Sequence, residues 1–595
     1  MHGFAAWRGR VAALRQGIRA AYRTALAAQE GFEASLRGRV TELLKAGGYS
    51  HVFLVLGKPY NVFDAFTNLR LFERLRRMGV LAIPLGYLSR DADTASDLPW
   101  RFSADIHRAA MWTARDGGMV PVIISNFGCG PDAFTFRRIE ESLRDTPHLV
   151  LEFDEHRGEA GLITRLEAFL DRIEAARGRG VRIATSAKPR LSSGHIPTAP
   201  SDVRIPYFAD HAYAFSGLWR FKGHRAEVLP LPGAHIRMLG EKFTLGKECH
   251  PYAMIAGDLV NLHRETPNED LIYYFPSTAI PCLLHQYGAA MQRLLQELGI
   301  GNITISSPVG QELFEAFGLE AIERFYMGLL TIEILAKALC EVRPYETTPG
   351  TTDAVHRVNL RRVEAAIAEG NILEALDESL RALMRVPIEK NGRRPVVGIA
   401  GDVYTKVNPA ANNDLYRWLE ERGLEVWPSP FQIDLLDFGI SRQFFESASK
   451  LRFPDLLIDG SVALRRLIDV WKINRVAVRR IARLEEPGYL EMKKLAAPYM
   501  PNEAHELLFL NTVKIVDFAR SGADGVINAI CFNCMVGNAS AAVIEKIRGD
   551  YRDIPIVTAV YSGGEDPSRR MVLEAFVSQV KEYHKKRQGP ITFPQ

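Results

Sequence analysis

The sequence predicts an α/β protein with three doubly wound, Rossmann-like domains that contain parallel sheets. Segments 52–84, 204–230 and 396–428 share one order: an apolar β-rich run, a polar loop, an amphipathic helical run, a glycine, a second apolar run and a proline. That order is typical of the first strand–helix–strand unit of a doubly wound sheet. The chain of 595 residues is also too long for one core. Segments 308–342 and 353–385 lack strand patterning and predict helices in the middle region.

Breaks in composition indicate where the domains meet. Residues 177–203 are rich in Arg, Ser, Pro and Gly, as a linker would be, and residues 386–395 form a second break. The sequence therefore predicts an N-terminal helix at 1–45, a first α/β domain at 46–185 and a linker at 186–203. A second α/β domain with a helical insertion is predicted at 204–390, and a third α/β domain at 391–595.

The N-terminal segment has the spacing of an amphipathic helix. Apolar residues recur every three or four positions at Phe4, Trp7, Val11, Leu14, Ile18, Tyr22 and Leu26. Five arginines lie in the same stretch, and no acidic residue precedes Glu30. We interpret it as a surface helix packed on the first domain, with an organellar transit peptide as the alternative.

Composition excludes several classes of protein. Hydrophobic residues make up 47% and charged residues 24%, which is ordinary for a globular chain. The formal charge of +4 indicates no nucleic-acid partner. No run of 18 apolar residues predicts a membrane span, and no secretory signal is visible, so the sequence predicts a cytoplasmic protein. Six cysteines in this length do not form a secreted disulfide framework.

Four cysteines share one predicted place, the start of a helix. Three of them follow an apolar strand directly, and the set is Cys129, Cys249, Cys282 and Cys534. A helix N-terminus offers free N–H groups and partial positive charge, which favour thiolate and an anionic cluster. Four thiolates from different loops can hold a zinc ion or an iron–sulfur cluster. Zinc sites usually have two tight cysteine pairs and this chain has one C-x-x-C, so scattered single cysteines favour an interdomain cluster.

Residues beside these cysteines complete the predicted site. Gly128, Gly130 and Asn533 flank candidate ligands and are predicted to contact the cofactor, since small neighbours let backbone N–H groups reach cluster sulfurs. Cys531 stays open, either as a second ligand on the Cys534 loop or as the last residue of its strand. Cys340 lies in an apolar helical run and is predicted to pack in the core.

Four further residues are candidate proton donors. His250 and His285 each lie close to a candidate ligand, and Glu155 and His156 belong to the charged run FDEHRGEAG. A histidine that titrates near neutral pH suits proton transfer. The alternative is that these side chains cap helices and form surface ion pairs.

Several loops together resemble one known family. They are NFGCG at Cys129, ECHPY at Cys249, PC followed by QYG at Cys282 and CMVG at Cys534, with GKPY at 57–60, EAGLITRLEAFL at 159–170 and RPYETTPGTTD at 343–353. From about Gln29 onward the chain resembles the C-terminal region of large acyl-CoA dehydratase activase-related proteins. These are similar to the cores of 2-hydroxyacyl-CoA dehydratases and benzoyl-CoA reductases and to double-cubane-cluster proteins.

The resemblance implies a cofactor and a partner. It implies a cysteine-ligated [4Fe–4S] cluster, with an [8Fe–9S] double cubane as the alternative, and anaerobic, low-potential one-electron chemistry. It implies electron delivery from an actin/Hsp70-type ATPase, here on a separate chain, and a small-molecule or acyl-CoA substrate. The family usually has one cysteine in the last loop, so Cys531 leaves the number of ligands open.

Three functions follow, in order of preference. The first is an iron–sulfur reductase or dehydratase component that reduces a substrate, which needs an open iron with three cysteine ligands. The second is an electron relay or cluster carrier without its own substrate, which suits four ligands. The third is a zinc-containing or metal-free binding module. The sequence leaves the oligomeric state open, with a homodimer as one option.

Overall fold

The structure is a computed structural model, and it has two compact units, Met1–Pro189 and Arg190–Gln595. Each unit is described by itself. The residues described are 2–87, 98–116, 118–144, 146–156, 158–177, 196–278, 280, 282–390, 392–431, 438–450, 453–501 and 504–588. Residues 186–195 of the predicted linker lie outside this set.

The N-terminal unit contains one long helix followed by a parallel α/β domain. Its elements are α1 (His2–Ala46), β1 (His51–Leu56), α2 (Pro59–Val62), α3 (Leu71–Arg77), β2 (Val80–Pro84), α4 (Arg101–Asp116), β3 (Val120–Asn126), α5 (Gly130–Ser142), β4 (Leu149–Phe153) and α6 (Glu159–Arg177). The four strands are parallel in the order β2-β1-β3-β4.

The C-terminal unit begins with a second sheet. Its elements are β5 (Asp202–Ile205), α7 (Ala212–Phe221), β6 (Arg225–Val228), α8 (Ala234–Glu241), α9 (His250–Glu265), β7 (Leu271–Tyr274), α10 (Tyr287–Leu298) and β8 (Ile303–Ser306). The parallel strands have the order β6-β5-β7-β8. Three helices follow, as predicted for the middle region: α11 (Gly310–Val342), α12 (Thr351–Glu369) and α13 (Ile372–Met384).

The third sheet completes this unit. Its elements are β9 (Val396–Gly401), α14 (Leu415–Glu421), β10 (Glu425–Pro428), α15 (Phe438–Ser449), α16 (Phe453–Ala477), α17 (Tyr489–Ala496), α18 (Glu506–Arg520), β11 (Gly525–Cys531), α19 (Met535–Ala541), α20 (Ile544–Asp550), β12 (Ile556–Tyr561) and α21 (Pro567–Gln588). The order β10-β9-β11-β12 repeats that of the other two sheets, and all pairs are parallel. The predicted fold class is confirmed.

Strand alternation explains why each sheet is covered on both faces. In β1, Phe53 and Val55 enter one hydrophobic cluster, whereas Leu54 and Leu56 enter another on the opposite face. Strand β9 divides its side chains between two clusters in the same way. Parallel strands buried on both faces leave their carboxyl ends as the accessible edge, where loops carry functional side chains.

The N-terminal helix is confirmed, but its predicted packing is wrong over the first turns described. Leu14, Ile18 and Tyr22 expose 60–68% of their surface. Burial begins further along, where Val40 is 5% exposed and joins the core of the first domain. Apolar spacing gives a helix its amphipathic face, but it does not show which part of that face meets a partner.

Two glycines let helices α8 and α9 pack backbone to backbone. A Cβ at Gly240 would collide with the carbonyl oxygen of Ala253, and a Cβ at Gly257 would collide with that of Ile236. The contact sets the position of α9, whose first residue follows Cys249 directly. A side chain at either glycine would force the helices apart.

We therefore expect Gly240→Ala and Gly257→Ala each to destabilise the protein by about 1–3 kcal/mol, because overpacking strains the interface. Differential scanning calorimetry of the full-length chain measures this as a lower melting temperature. Gly549→Ala is the control, since a Cβ there meets nothing within 4 Å and alanine favours the helix. Equal melting temperatures for the interface variants and the control would contradict the argument.

A second prediction concerns Asp258, a buried carboxyl on α9 that is 7% exposed. Burial, with a smaller contribution from the charge of Glu265, raises the pKa of Asp258 to about 8. Between about pH 4 and pH 8 the folded chain therefore keeps a proton that the unfolded chain releases, so the free energy of unfolding falls as pH rises. The expected slope approaches about 1.4 kcal/mol per pH unit.

Urea unfolding between about pH 5 and about pH 8 tests this linkage. We expect Asp258→Asn to be more stable than the wild type at the upper pH and to lose this part of the pH dependence. Asp270→Asn, at an exposed position beyond α9, is the matched control. The assignment fails if Asp258→Asn and Asp270→Asn have the same pH profile.

Candidate metal centre

All four cysteines chosen from the sequence occupy helix N-caps. Cys129 caps α5, Cys249 caps α9 and Cys534 caps α19, while Cys282 caps the 3₁₀ turn Leu283–Gln286. The Gly537 N–H donates to the Cys534 sulfur over 3.3 Å. The thiols therefore lie where unpaired backbone N–H groups stabilise negative charge.

The C-terminal unit brings four sulfurs together, and Cys531 is one of them. Cys531 is the last residue of β11, and its thiol is in hydrogen-bonding contact with the thiols of Cys249 and Cys534. Cys282 is close enough to interact electrostatically with Cys249 and Cys534. Thiols from three separate loops thus converge at the carboxyl edge of the sheets, and Cys531 is the last residue of its strand, as one of the two interpretations predicted.

Burial shapes the chemistry of these thiols. Burial raises the pKa of Cys282 to about 12, and hydrogen bonds to Cys249 and Cys534 together with burial raise the pKa of Cys531. Four adjacent thiolates without a cation would repel one another in a site that excludes water. A metal ion or cluster would supply the positive charge that stabilises such thiolates.

Asp402 anchors the C-x-x-C loop. It follows β9, and its Oδ2 accepts the Cys531 backbone N–H over 2.6 Å. Its Oδ1 accepts the N–H groups of Tyr404 and Thr405 over 2.9 and 2.7 Å. One carboxylate therefore holds together the loops that follow two neighbouring strands. Its oxygen and the sulfurs of Cys531 and Cys534 all lie within 4.8 Å of one another, so Asp402 is itself within reach of a metal.

Further contacts hold Cys249 within the second sheet's loops and join those loops to the third sheet. The Tyr287 hydroxyl lies 2.6 Å from the Cys249 sulfur, and the Tyr287 ring stacks on Phe275. Asn533 has a left-handed backbone with φ of 63° and donates its amide to the Lys247 carbonyl over 2.8 Å. Asn533, predicted to contact the cofactor, therefore ties the C-x-x-C loop to the loop before Cys249.

Cys129 lies in the N-terminal unit with different partners. The buried ammonium of Lys58 donates to the Cys129 sulfur over 2.7 Å and lies 2.9 Å from Asp132. Ser125 donates its hydroxyl to the other oxygen of Asp132. Burial and Asp132 raise the pKa of Cys129 although Lys58 opposes them. The Cys129 sulfur therefore already faces a cation.

The other sequence candidates have varied surroundings. Gly128 has a left-handed φ of 74° and Gly130 begins α5, so both shape the Cys129 loop. Burial, with the charges of Arg237 and Arg569, lowers the pKa of His250 to about 4, which leaves its imidazole neutral at pH 7.

The remaining candidates are on the surface, at a turn, or in the core. The ring of His285 donates through Nδ1 to the Thr278 carbonyl over 2.6 Å. Glu155 and His156 are exposed, and His156 pairs with Asp154 at 3.2 Å. Cys340 is 1% exposed in a hydrophobic cluster, as predicted. Of the four proton-donor candidates, His250 and His285 are the two that lie close in sequence to candidate ligands, Cys249 and Cys282.

The site includes residues that sequence reasoning missed. Asp402 and Tyr287 carried a usable signal, because each stands next to a strand end or a candidate ligand: Asp402 follows the apolar run VVGIAG, and Tyr287 follows Cys282 by five residues. Lys58 stands in the GKPY motif directly after β1, but its partner Cys129 is 71 residues away. Pairings of that range do not follow from local pattern.

The chain is thus an α/β protein of parallel-sheet domains with four neighbouring cysteines in its C-terminal unit, and it can be compared with known proteins. Residues 5–88 match the family described as the CoA enzyme activase uncharacterised domain. This match supports an acyl-CoA dehydratase activase-related protein and confirms the resemblance predicted from the sequence. The match begins within α1, earlier than Gln29, and extends past β2. No curated protein matches the sequence. None of the described helices has both the length and the apolar character needed to cross a bilayer.

The pair formed by Lys58 and Asp132 generates a prediction for the N-terminal unit. Lys58→Met should destabilise the region around β3 and α5 by about 3 kcal/mol, because it leaves a buried carboxylate without its cation. Hydrogen–deuterium exchange of the full-length chain would show this as faster exchange in segment 120–142. The double variant Lys58→Met/Asp132→Asn should recover part of the protection, and Arg70→Met, at an exposed position, is the control. Additive effects of the two single substitutions would contradict a coupled pair.

Proposed function

We propose that this chain binds a [4Fe–4S] cluster through Cys249, Cys282, Cys531 and Cys534 and serves as an electron-transfer component of an activase-related system. The observation that carries the proposal is the convergence of four thiols from three loops at the carboxyl edge of two sheets. Such a centre, when bound, supplies one-electron redox chemistry at a potential set by its surroundings.

The surroundings of the thiols favour iron–sulfur over zinc. A structural zinc site usually has its cysteines in two tight pairs. Here the four cysteines come from three loops. Hydrogen-bond donors also point at the sulfurs: the Gly537 N–H reaches Cys534, the Leu284 N–H reaches Cys282, and the Tyr287 hydroxyl lies against Cys249. Donors of this kind adjust the potential of a cluster through its sulfurs.

The number of ligands favours a relay. Four thiols close the coordination of one cubane, so the residues present hold the centre and exclude a substrate from it. A double cubane would need more sulfurs, yet Cys340 is buried in an apolar core and Cys129 is bound to Lys58. The electron donor we propose is the actin/Hsp70-type ATPase that the family resemblance implies, on a separate chain.

Asp402 supports a second candidate function. Its carboxylate lies within 4.8 Å of the sulfurs of Cys531 and Cys534 and can replace one thiolate as a ligand. Three thiolates with an exchangeable oxygen would leave room for a substrate, as in a reductase or dehydratase component. In that case the neutral imidazole of His250, the residue after Cys249, is a candidate for accepting a proton.

Metal and sulfide analysis of the full-length chain, purified without oxygen, tests the proposal. We expect about four irons and four acid-labile sulfides per chain, and a reduced form visible by electron paramagnetic resonance. Changing any one of Cys249, Cys282, Cys531 and Cys534 to Ser should remove most of the iron, because each supplies one bond to the centre. Stoichiometric zinc, or no metal, would refute it.

Two control variants distinguish the proposed cysteine ligands from the cysteines that do not bind the cluster. Cys129→Ser and Cys340→Ala should keep the wild-type iron content, since these cysteines have other surroundings. Loss of iron in Cys129→Ser with retention in Cys531→Ser would show that the ligand set is wrong. Asp402→Asn separates the two candidate functions. If four thiolates bind the cluster, this variant should keep the wild-type spectrum and change only the reduction potential. If the carboxylate is a ligand, the spectrum itself should change.

A further inference from the structure

A cavity of about 590 Å³ opens in the C-terminal unit. The loops after β5, β6, β9 and β10 form one wall, and helices α11 and α12 form the other. The carboxyl edge of a parallel sheet is where small ligands bind, and this volume is that of a typical ligand site. None of the four sulfur ligands lines it.

Polar atoms without partners cluster around this cavity. Both ring nitrogens of His211, Nδ1 of His356 and the hydroxyl of Tyr416 are buried and make no hydrogen bond among the described residues, and all three side chains line the cavity. His211 is 4% exposed and stacks on Phe431. Unpartnered buried polar groups are rare and costly, so their concentration at one cavity indicates a polar ligand.

Charge pairing shows which kind of polar ligand fits. Each carboxylate that lines the cavity already has a basic side chain within 4 Å. The pairs are Asp210 with His356 at 2.8 Å, Glu333 with His211 at 3.5 Å, Asp353 with Arg343 at 3.0 Å, Glu227 with Arg204 at 3.6 Å and Asp414 with Arg417 at 4.0 Å. Although burial opposes it, His356 lowers the pKa of Asp210 to about 2, so that carboxyl is ionised.

One arginine remains. Arg357 lines the cavity from α12, is exposed and has no ion pair within 4 Å in the described part of the chain. The groups left for a ligand therefore include the Arg357 guanidinium and the Tyr416 hydroxyl. Both can donate hydrogen bonds, and the guanidinium carries a positive charge, so together they suit an anion.

Part of the wall is apolar. Leu229 and Leu231 follow β6, and Leu339 and Leu360 face them from the two helices. An apolar wall beside a few donors favours a molecule with a hydrocarbon part and one anionic group.

We propose that this cavity binds a small organic carboxylate with an apolar tail, the carboxylate contacting Arg357 and Tyr416. The site is separate from the metal centre and does not depend on it.

Isothermal titration calorimetry of the full-length chain with acetate, butyrate and hexanoate tests the proposal. Affinity should rise with chain length as the tail covers the apolar wall. Hexanoate should bind about tenfold more tightly than 1-hexanol or hexylamine, which share the tail but lack the negative charge. Equal binding of all three, or no saturable binding of any carboxylate, would overturn the proposal.

Two substitutions locate the carboxylate. Arg357→Gln should raise the dissociation constant for hexanoate about tenfold, and Tyr416→Phe should raise it several-fold. Both should leave folding intact, because Arg357 is exposed and the Tyr416 hydroxyl has no partner to lose. Arg264→Gln, at an exposed position away from the cavity, should bind as the wild type does. Unchanged hexanoate affinity in both cavity variants would show that the carboxylate binds elsewhere.

Discussion

The hydrogen bond from the Cys531 backbone N–H to the carboxylate of Asp402 joins the ends of two neighbouring parallel strands. The other oxygen of Asp402 accepts two N–H groups from its own loop, so this carboxylate is held at both ends. A partly buried carboxylate needs such donors, and a loop that leaves a strand needs partners for its backbone. One side chain meets both requirements, and the position of the C-x-x-C loop follows from it.

Contacts within the second sheet's loops, and one contact to the C-x-x-C loop, position the Cys249 thiol. Asn533 holds the carbonyl of Lys247, two residues before Cys249, and Tyr287 places its hydroxyl against the Cys249 sulfur. Glycines Gly240 and Gly257 bring α8 and α9 into close contact, which fixes the helix that Cys249 caps. Backbone packing, an amide and a phenol thus determine where one sulfur lies relative to the pair on the third sheet.

Local sequence pattern predicted the sheets and the positions of four cysteines, but it could not predict the contacts between residues that are far apart in the chain. Repeated strand–helix–strand order predicted three parallel sheets, and Cys129, Cys249, Cys282 and Cys534 were placed at helix starts because strands, glycines and prolines mark such positions. Pattern could not show that Cys129 faces Lys58, because the two meet only when β1 and β3 pair. Nor could it assign Cys531, whose strand-end position is compatible with any partner across the edge.

Comparison of the domains shows how one architectural position supports different chemistry. In the N-terminal unit, the thiol at the strand end faces a buried ammonium. In the C-terminal unit, no lysine takes that place among the described contacts of the four sulfurs, and the thiols face one another instead. The loop after β9 contacts both the C-x-x-C loop and the loop after β5. Asp402 holds Cys531, and Asn408 of the same loop donates to the carbonyls of Tyr207 and Phe208 beside the cavity. The segment that follows β9 therefore lines the cavity and also holds the C-x-x-C loop.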